Sequence, residues 1–312
     1  MAPRLRFKKA AIVGATGPTG IHLAAALADA KTGLRVISRN SARLAATFPD
    51  QAFEKRAADA VDAAAIAAAV EGCDLVVDCI GLPGEAMHLH EVTARNIAHA
   101  ATAAGARLLQ VSSYWAYLPL RGEVINEDHP RSGGGPYIRA RRAAEDAMLE
   151  AGAAVLNLPD FYGPHVAVGP LTEALKALAR GKPMMWIGPD DLAREHVYVP
   201  DAMAVAARVA VEPDAYGHRW VVPGAGPVTA RALADHAGDH LGHKVRLITA
   251  GPMMLRLVSL FNRELRGFMQ MVPEYLKPVR YDGTRLEALI GKSPVTPYAE
   301  GVAATLVWLA GR

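Results

Sequence analysis

Over roughly the first 160 residues, short apolar runs alternate with longer alanine-rich stretches. AAIVG (10–14), LRVIS (34–38), FEKRAA (53–58), DLVVDCIG (74–81), RLLQVSS (107–113) and AAVLNLP (153–159) are too short for buried helices and are bounded by turn formers. They predict strands. Between them PTGIHLAAALADA, SARLAATF, DAAAIAAAVE, EAMHLHEVTARNIAHAATAAG and YIRARRAAEDAMLEAG predict crossover helices, since alanine is the strongest helix former. This alternation predicts βαβ units on a doubly wound parallel sheet, an α/β fold, across residues 1–163. Beyond that point Pro and Gly are more frequent, and the short runs PMMWIG, REHVYV and HRWVVPG stand between helices of mixed length. A smaller α+β lobe is expected over 164–312, with some segments returning to the first domain.

Composition narrows the class without naming a chemistry. Of 312 residues, 51% are hydrophobic and 21% charged, which suits a globular protein with a sizeable core. The net charge of +3 comes from scattered Lys and Arg and implies no nucleic-acid partner. Cys73 and Cys79 lack a second pair or a neighbouring His, so core packing in a reducing, cytoplasmic setting is expected rather than a disulfide or zinc framework. No metal site is expected, because His88, His90 and His99 do not have ligand spacing on a helix. The basic N-terminus runs into a glycine loop and does not read as a signal peptide. The most apolar long stretch, 252–272, is interrupted by Arg256, Arg263, Glu264 and Arg266, so an amphipathic helix is expected there and no membrane span.

Chemistry first shows at AAIVGATGPTGIHLAAAL. Gly14, Gly17 and Gly20 follow a strand and open a helix, the context in which a glycine pattern signals a dinucleotide loop. Gly14 would allow the tight turn, Gly17 the approach of backbone N–H groups to a pyrophosphate, and Gly20 close helix–strand packing. Pro18 suits a first helical turn, where its missing N–H costs nothing. A ribose 2′-hydroxyl calls for a carboxylate at the end of the second strand, and a 2′-phosphate for a cation. The chain has Ser38, Arg39 and Asn40 there and no acid. Arg39 can pair a phosphate bidentately, so NADP(H) is favoured over NAD(H), with Asn40 or Ser41 capping the next helix.

With GATGPTG at 14–20, Asp59 in RAADAVD, VVDCIG at 76–81, VSSYWAY at 111–117, PYIRAR at 136–141 and NLPDFYGP at 157–164, the chain resembles the extended short-chain dehydrogenase/reductase superfamily, its NAD-dependent epimerase/dehydratase branch. REHVYVPDAMAVA and TPYAEGVAATLVWL extend the likeness through the second lobe. The resemblance implies a Rossmann domain with a substrate lobe, and a homodimer through helices 84–104 and 137–151. It implies a cofactor lining of Gly14, Thr16, Gly17, Pro18, Thr19, Gly20, Ser38, Arg39, Asn40, Asp59, Ala60, Ile80, Gly81, Tyr137, Arg141 and Pro159. Ser113, four residues before Tyr117, matches the substrate-polarising hydroxyl, with Ser112 as runner-up, and Tyr137 matches the catalytic acid/base. Where the family has Lys, this chain has Arg141. Where the family commonly has Arg, it has Asn157, and Pro18 and Thr19 are closer to the atypical reductases.

A carbonyl that accepts hydride develops alkoxide charge, and needs a proton donor and a second hydrogen bond at one oxygen. Tyr137 and Ser113 supply these, and Arg141, one helical turn from Tyr137, supplies a cation. An Arg is always protonated and cannot relay a proton as a Lys can. The bland reading has Tyr137 packing at a helix start and Arg141 pairing with Glu145 on a solvated face. The leading expectation is hydride transfer between NADP(H) and a small carbonyl or alcohol substrate. The alternatives are a nucleotide-sugar epimerase or dehydratase with tightly bound NAD(P), and a non-catalytic NAD(P) sensor or scaffold. His165 and Asp160 are expected near the crevice, and the loop 117–130 is a candidate lid.

Overall fold

A computed structural model describes residues 3–28, 32–82, 84–260 and 269–311. Seven strands form one parallel sheet: β1 (Lys9–Val13), β2 (Gly33–Ser38), β3 (Phe53–Ala57), β4 (Leu75–Asp78), β5 (Arg107–Ser113), β6 (Ala154–Leu158) and β7 (Arg219–Val221). Their spatial order is β7-β6-β5-β4-β1-β2-β3. The apolar runs are nearly unbroken because both faces of the sheet are covered. Ala10 and Ile12 of β1 join a core with α1 (Pro18–Ala28) and Val199–Ala210. Ala11 and Val13 join the opposite core, built with α3 (Ala63–Val70), α4 (His90–Ala103) and α5 (Pro136–Glu150). The short α2 (Ser41–Thr47) links β2 to β3.

The chain winds in opposite directions from β1 and β4, so the loops after these two strands part and open a crevice at the carboxyl ends of the sheet. β4 ends at Asp78, short of the expected Gly81, because the Asp78 carboxylate takes the Ile80 N–H (2.9 Å) and turns the chain away. The expected helix 84–104 divides: Gly84–Leu89 is a 3-10 turn, with Gly84 at φ +49°, and α4 begins at His90.

The second lobe holds a three-stranded sheet of Asp160–Tyr162, Arg194–Tyr198 and Pro227–Val228, and a parallel pair of Met184–Ile187 with Leu247–Ala250. Its core joins Tyr162, Leu171, Trp186, Leu233 and Val302. HRWVVPG leaves this lobe: Arg219–Val221 pairs with Val155–Asn157 and extends the main sheet. Of the amphipathic helix expected over 252–272, Pro252–Ser259 is helical, and residues 261–268 lie outside the described residues. No helix among the described residues is long and apolar enough to cross a membrane.

The loop 117–130 is pinned, contrary to its expected role as a lid. Val124–Ile125 pairs with Arg280–Tyr281, the Leu120 N–H donates to Glu274 (2.8 Å), and Glu127 accepts the Val221 N–H (2.9 Å). Backbone pairing and these carboxylate bonds anchor it at several points along its length.

Candidate functional site

The glycine loop is required by close approach as well as by torsion. Gly14 has φ +82°, and a Cβ there would lie 2.8 Å from the Cys79 carbonyl. A Cβ on Gly20 would lie 2.5 Å from Ala15 Cα, which is backbone and cannot swing aside. Pro18 opens α1, and Thr19 Oγ1 reaches the Cys79 carbonyl (3.5 Å). Thr16 is buried and its hydroxyl meets Ser38 Oγ (3.1 Å), tying the loop to the end of β2. Gly20→Ala is expected to cost about 1–3 kcal/mol through overpacking and to weaken dinucleotide binding. Urea unfolding together with NAD(P)H titration checks both effects.

At the end of β2, Asn40 caps α2 by accepting the Arg43 N–H (2.8 Å). The Arg43 guanidinium donates to the Thr16 carbonyl (3.0 Å), a second cation at this corner that the sequence reading passed over. Arg39 is exposed and forms no hydrogen bond or ion pair among the described residues. Asp59 turns the chain after β3 by accepting the Val61 N–H (3.1 Å), and the Ala60 carbonyl holds Asn96 Nδ2 (2.9 Å). Ile80 is half-buried and Gly81 exposed beyond β4, and Pro159 is buried at the end of β6.

The stretch GGGPY explains itself in the backbone. Gly133 and Gly134 have φ +78° and +87°, Gly135 is the N-cap, and Pro136 is the first residue of α5, so Tyr137 is delivered to its first turn. Two of the three arginines that follow build this entry. Arg139 donates to the Gly134 carbonyl (2.8 Å), while Arg142 donates to the carbonyls of Ala116 (2.6 Å), Gly133 (2.6 Å) and Leu118. Arg142 thereby clamps α5 to the turn Tyr114–Tyr117 that follows β5, and Tyr137 packs against the same apolar cluster as Tyr114 and Tyr117. The Tyr137 hydroxyl has no hydrogen-bond partner among the described residues.

Arg141 turns inward instead of pairing on a solvated face. It is 9% exposed, and its Nε has no partner among the described residues. Burial opposes its charge, while Glu145 and Asp78 favour it. Asp78 is itself pushed up by burial, against the pull of the Ile80 N–H, Gln110 and Arg141. Spacing also separates the two serines. Ser112 is buried and donates to Glu145 (2.6 Å), so it belongs to the framework. Ser113, on the other face of β5, is half-buried, accepts the Trp115 N–H (3.3 Å), and donates its own proton to no described residue.

Glu145 was not singled out from sequence, although it continues the 137, 141, 145 stripe along one face of α5. It is fully buried and takes Ser112, Asn157 Nδ2 (2.7 Å) and Arg131 (2.9 Å), with Arg219 at 3.5 Å. Asn157, the family departure, thus serves Glu145 and accepts the Tyr117 hydroxyl (3.3 Å). A second buried cluster lies in the lobe. Asp160 accepts from Tyr114 (3.1 Å) and Tyr275 (3.0 Å), and Arg194 lies 4.8 Å over the Tyr275 ring. Burial raises the Asp160 pKa, and Arg194 and the two tyrosine hydroxyls lower it. His165, at φ +66°, packs against His22 and Trp308. Cys73 and Cys79 are buried free thiols, and no group of three or more His, Cys, Asp or Glu among the described residues is placed to hold a metal.

Sheet order and the glycine loop together define a doubly wound parallel α/β fold with a crevice at the carboxyl ends of its strands. Residues 14–154, just under half of the chain, match the NAD(P)H-binding family. The whole chain shares its fold with solved structures that include epimerases. It superposes on the UDP-glucuronic acid 4-epimerase of Bacillus cereus in complex with NAD with a TM-score of 0.79 and 15% identity, covering 96% of this chain and 98% of that one. A putative epimerase of Burkholderia cenocepacia gives 0.79 at 19% identity, covering 98% and 99%. The Bordetella bronchiseptica enzyme WbmG, in complex with NAD, gives 0.77 at 18% identity, covering 99% and 96%. Among curated proteins, none matches this sequence.

Proposed function

We propose that the chain is an NAD(P)-dependent epimerase acting on a nucleotide-linked sugar. This favours the alternative of the sequence reading over a reductase of small carbonyls. Residues 1–163 hold the dinucleotide and 164–312 mainly the substrate, with Val199–Ala210 and β7 serving the first domain. The loop fits a dinucleotide because Gly14 and Gly20 leave no space for a Cβ while α1 presents its free N–H groups. The dinucleotide would lie along the cofactor lining the sequence implies and supply the hydride acceptor and donor. Tyr137 takes the proton of a sugar hydroxyl during oxidation and returns it during reduction. Ser113 makes the second hydrogen bond to that oxygen, and Arg141 stabilises the charge that comes and goes.

The observation that carries this reading is Arg141. It sits buried where the family has Lys, and a guanidinium cannot release a proton to a relay. A net reduction consumes one proton per turnover, and the acid must be refilled from outside. An epimerisation is closed: the proton that Tyr137 takes is the one it gives back. A permanent cation suits the closed cycle. Relatives of the same fold, covered over nearly their whole length, include one solved in complex with UDP-glucuronic acid and NAD, which supports the substrate class. Incubation with NAD+ and a set of UDP-sugars, followed by proton NMR, should show a second epimer without accumulation of reduced nucleotide. Consumption of NADPH with simple carbonyls and no epimer would overturn the proposal.

One observation favours the reductase reading. Arg39 is exposed and unpaired, with no acid at the end of β2, which suits the 2′-phosphate of NADPH. Arg39→Ala is expected to weaken NADPH by about tenfold, a bidentate charge-assisted contact being worth about 1.5–3 kcal/mol, and to leave NADH unchanged. Equal losses in a fluorescence titration would remove the preference. A homodimer through α4 and α5, which pack side by side, belongs to the same proposal, as does a reducing compartment for the two buried thiols.

A further inference from the structure

One side chain ties together the two segments that carry Ser113 and Tyr137. Arg142 lies on α5 beyond Tyr137 and is 9% exposed. All three of its guanidinium nitrogens donate to backbone carbonyls: Nε to Ala116 (2.6 Å), Nη1 to Gly133 (2.6 Å) and Nη2 to Leu118. Ala116 and Leu118 belong to the turn that follows Ser113 and its exit, while Gly133 opens the glycine entry to Tyr137.

Short, constrained lengths of chain carry each bond to a hydroxyl. The turn Tyr114–Tyr117 is capped by Ser113, whose Oγ accepts the Trp115 N–H (3.3 Å), so the turn and this side chain move together. On the other side only Gly134, Gly135 and Pro136 separate Gly133 from Tyr137. Arg139 donates to the Gly134 carbonyl (2.8 Å), and the Pro136 ring fixes its own torsion at the start of α5. No hydrogen bond joins Ser113 to Tyr137 among the described residues, so their spacing is set through these two segments. A guanidinium is planar, with its donors in a fixed fork, and three bonds to it fix the three carbonyls relative to one another. The ammonium of a lysine is a compact point charge on a flexible stem and does not impose that geometry.

We propose that Arg142 is a positioning residue for proton transfer: it sets the Tyr137 hydroxyl against the Ser113 hydroxyl at the substrate oxygen, without itself touching substrate or dinucleotide. This rests on the reading of Tyr137 and Ser113 as the reacting pair, and holds for epimerisation and net reduction alike. A displacement of about 1 Å at such a pair costs about 10² in rate.

The test is a double-mutant cycle in the full chain: Arg142→Ala, Tyr137→Phe and the two together. It is run on whichever activity the parent shows, epimerisation of a UDP-sugar with NAD+ or NADPH oxidation with a simple carbonyl. Arg142→Ala is expected to lower kcat by about 10², and to leave KM and dinucleotide affinity unchanged. In the Tyr137→Phe background the same substitution should lower kcat by no more than about threefold, because the group it positions is gone. Arg142→Lys, which keeps the charge and loses the fork, should fall between, at about tenfold, and carries the same cycle if Arg142→Ala does not fold. Amide deuterium exchange in the Arg142 variant should rise in 113–118 and 133–138 together. A kcat loss as deep in the Tyr137→Phe background as in the parent marks a role in stability alone and overturns the inference. So does an unchanged kcat, a loss of dinucleotide affinity in its place, or faster exchange in only one of the two segments. A parent chain with neither activity overturns instead the reading on which the inference rests.

Discussion

Replacing Tyr137 by Phe is expected to lower turnover by about 10²–10⁴, the usual worth of a positioned acid/base, and to leave dinucleotide affinity where it was. The ring packs at the first turn of α5, set there by two left-handed glycines, a glycine cap and Pro136. None of this packing involves the hydroxyl, which has no partner among the described residues. Phenylalanine therefore keeps the shape and removes only the proton carrier. In the proposed mechanism Ser113 remains to hydrogen-bond the substrate oxygen and Arg141 to supply charge, so residual turnover should persist above background. The check is turnover by NMR beside NAD(P) titration of the same preparation. Activity within a factor of two or so of the parent would remove Tyr137 from the chemistry, since even a weak general acid contributes about 10². Loss of nucleotide binding would show that the hydroxyl acts through the cofactor site.

The largest stability effect is expected at Glu145. Glu145→Ala should cost about 3–5 kcal/mol, the range for removing one partner from a buried charged cluster. The cost does not come mainly from the arginines. Arg131 and Arg219 keep Asp146 at 3.0 and 2.5 Å, and their side chains are 16% and 24% exposed, so both can lean toward water. It comes from Ser112, whose hydroxyl would have no acceptor, and from Asn157, whose amide would keep only the long bond to the Ser113 carbonyl (3.4 Å), a buried donor being worth about 1–3 kcal/mol when orphaned. Glu145→Gln retains an acceptor and should lose about half as much. Urea unfolding of both variants measures the difference. A loss below about 1 kcal/mol for Glu145→Ala would mean that the network relaxes, and that Asn157 is free for another task.

The six strands up to Leu158 were legible because each is buried on both faces, which leaves an apolar run with sharp ends. The glycine loop was legible because its constraints are local: a torsion at Gly14 and a contact between Gly20 and Ala15, five residues apart. β7 was placed in the lobe stretch without being named among the segments that return to the first domain, for the opposite reason. Three residues, Arg219–Val221, carry no pattern that separates an edge strand of the main sheet from a strand of the lobe. Glu145 was read only as the i+4 partner in the bland account of Arg141, since a charged residue in a helix reads as surface until something buried is seen to need it. Asp160 with Tyr114, Tyr275 and Arg194 is assembled from distant parts of the chain, and no local periodicity announces it. The choice of Ser113 over Ser112 rested on resemblance. Strand alternation separates the two, with Ser112 on the face committed to Glu145.

The central claim is that the proton and hydride cycle is closed within one substrate molecule, with Arg141 as a fixed charge and Tyr137 as the only carrier. It is tested most directly with a nucleotide sugar deuterated at the carbon whose configuration changes, incubated with the enzyme and NAD+ in ordinary water and analysed by NMR. The account predicts an epimer that retains its deuterium at that carbon, with no reduced nucleotide accumulating. Recovery of the label in free reduced nucleotide, with an oxidised sugar as the product, would contradict it.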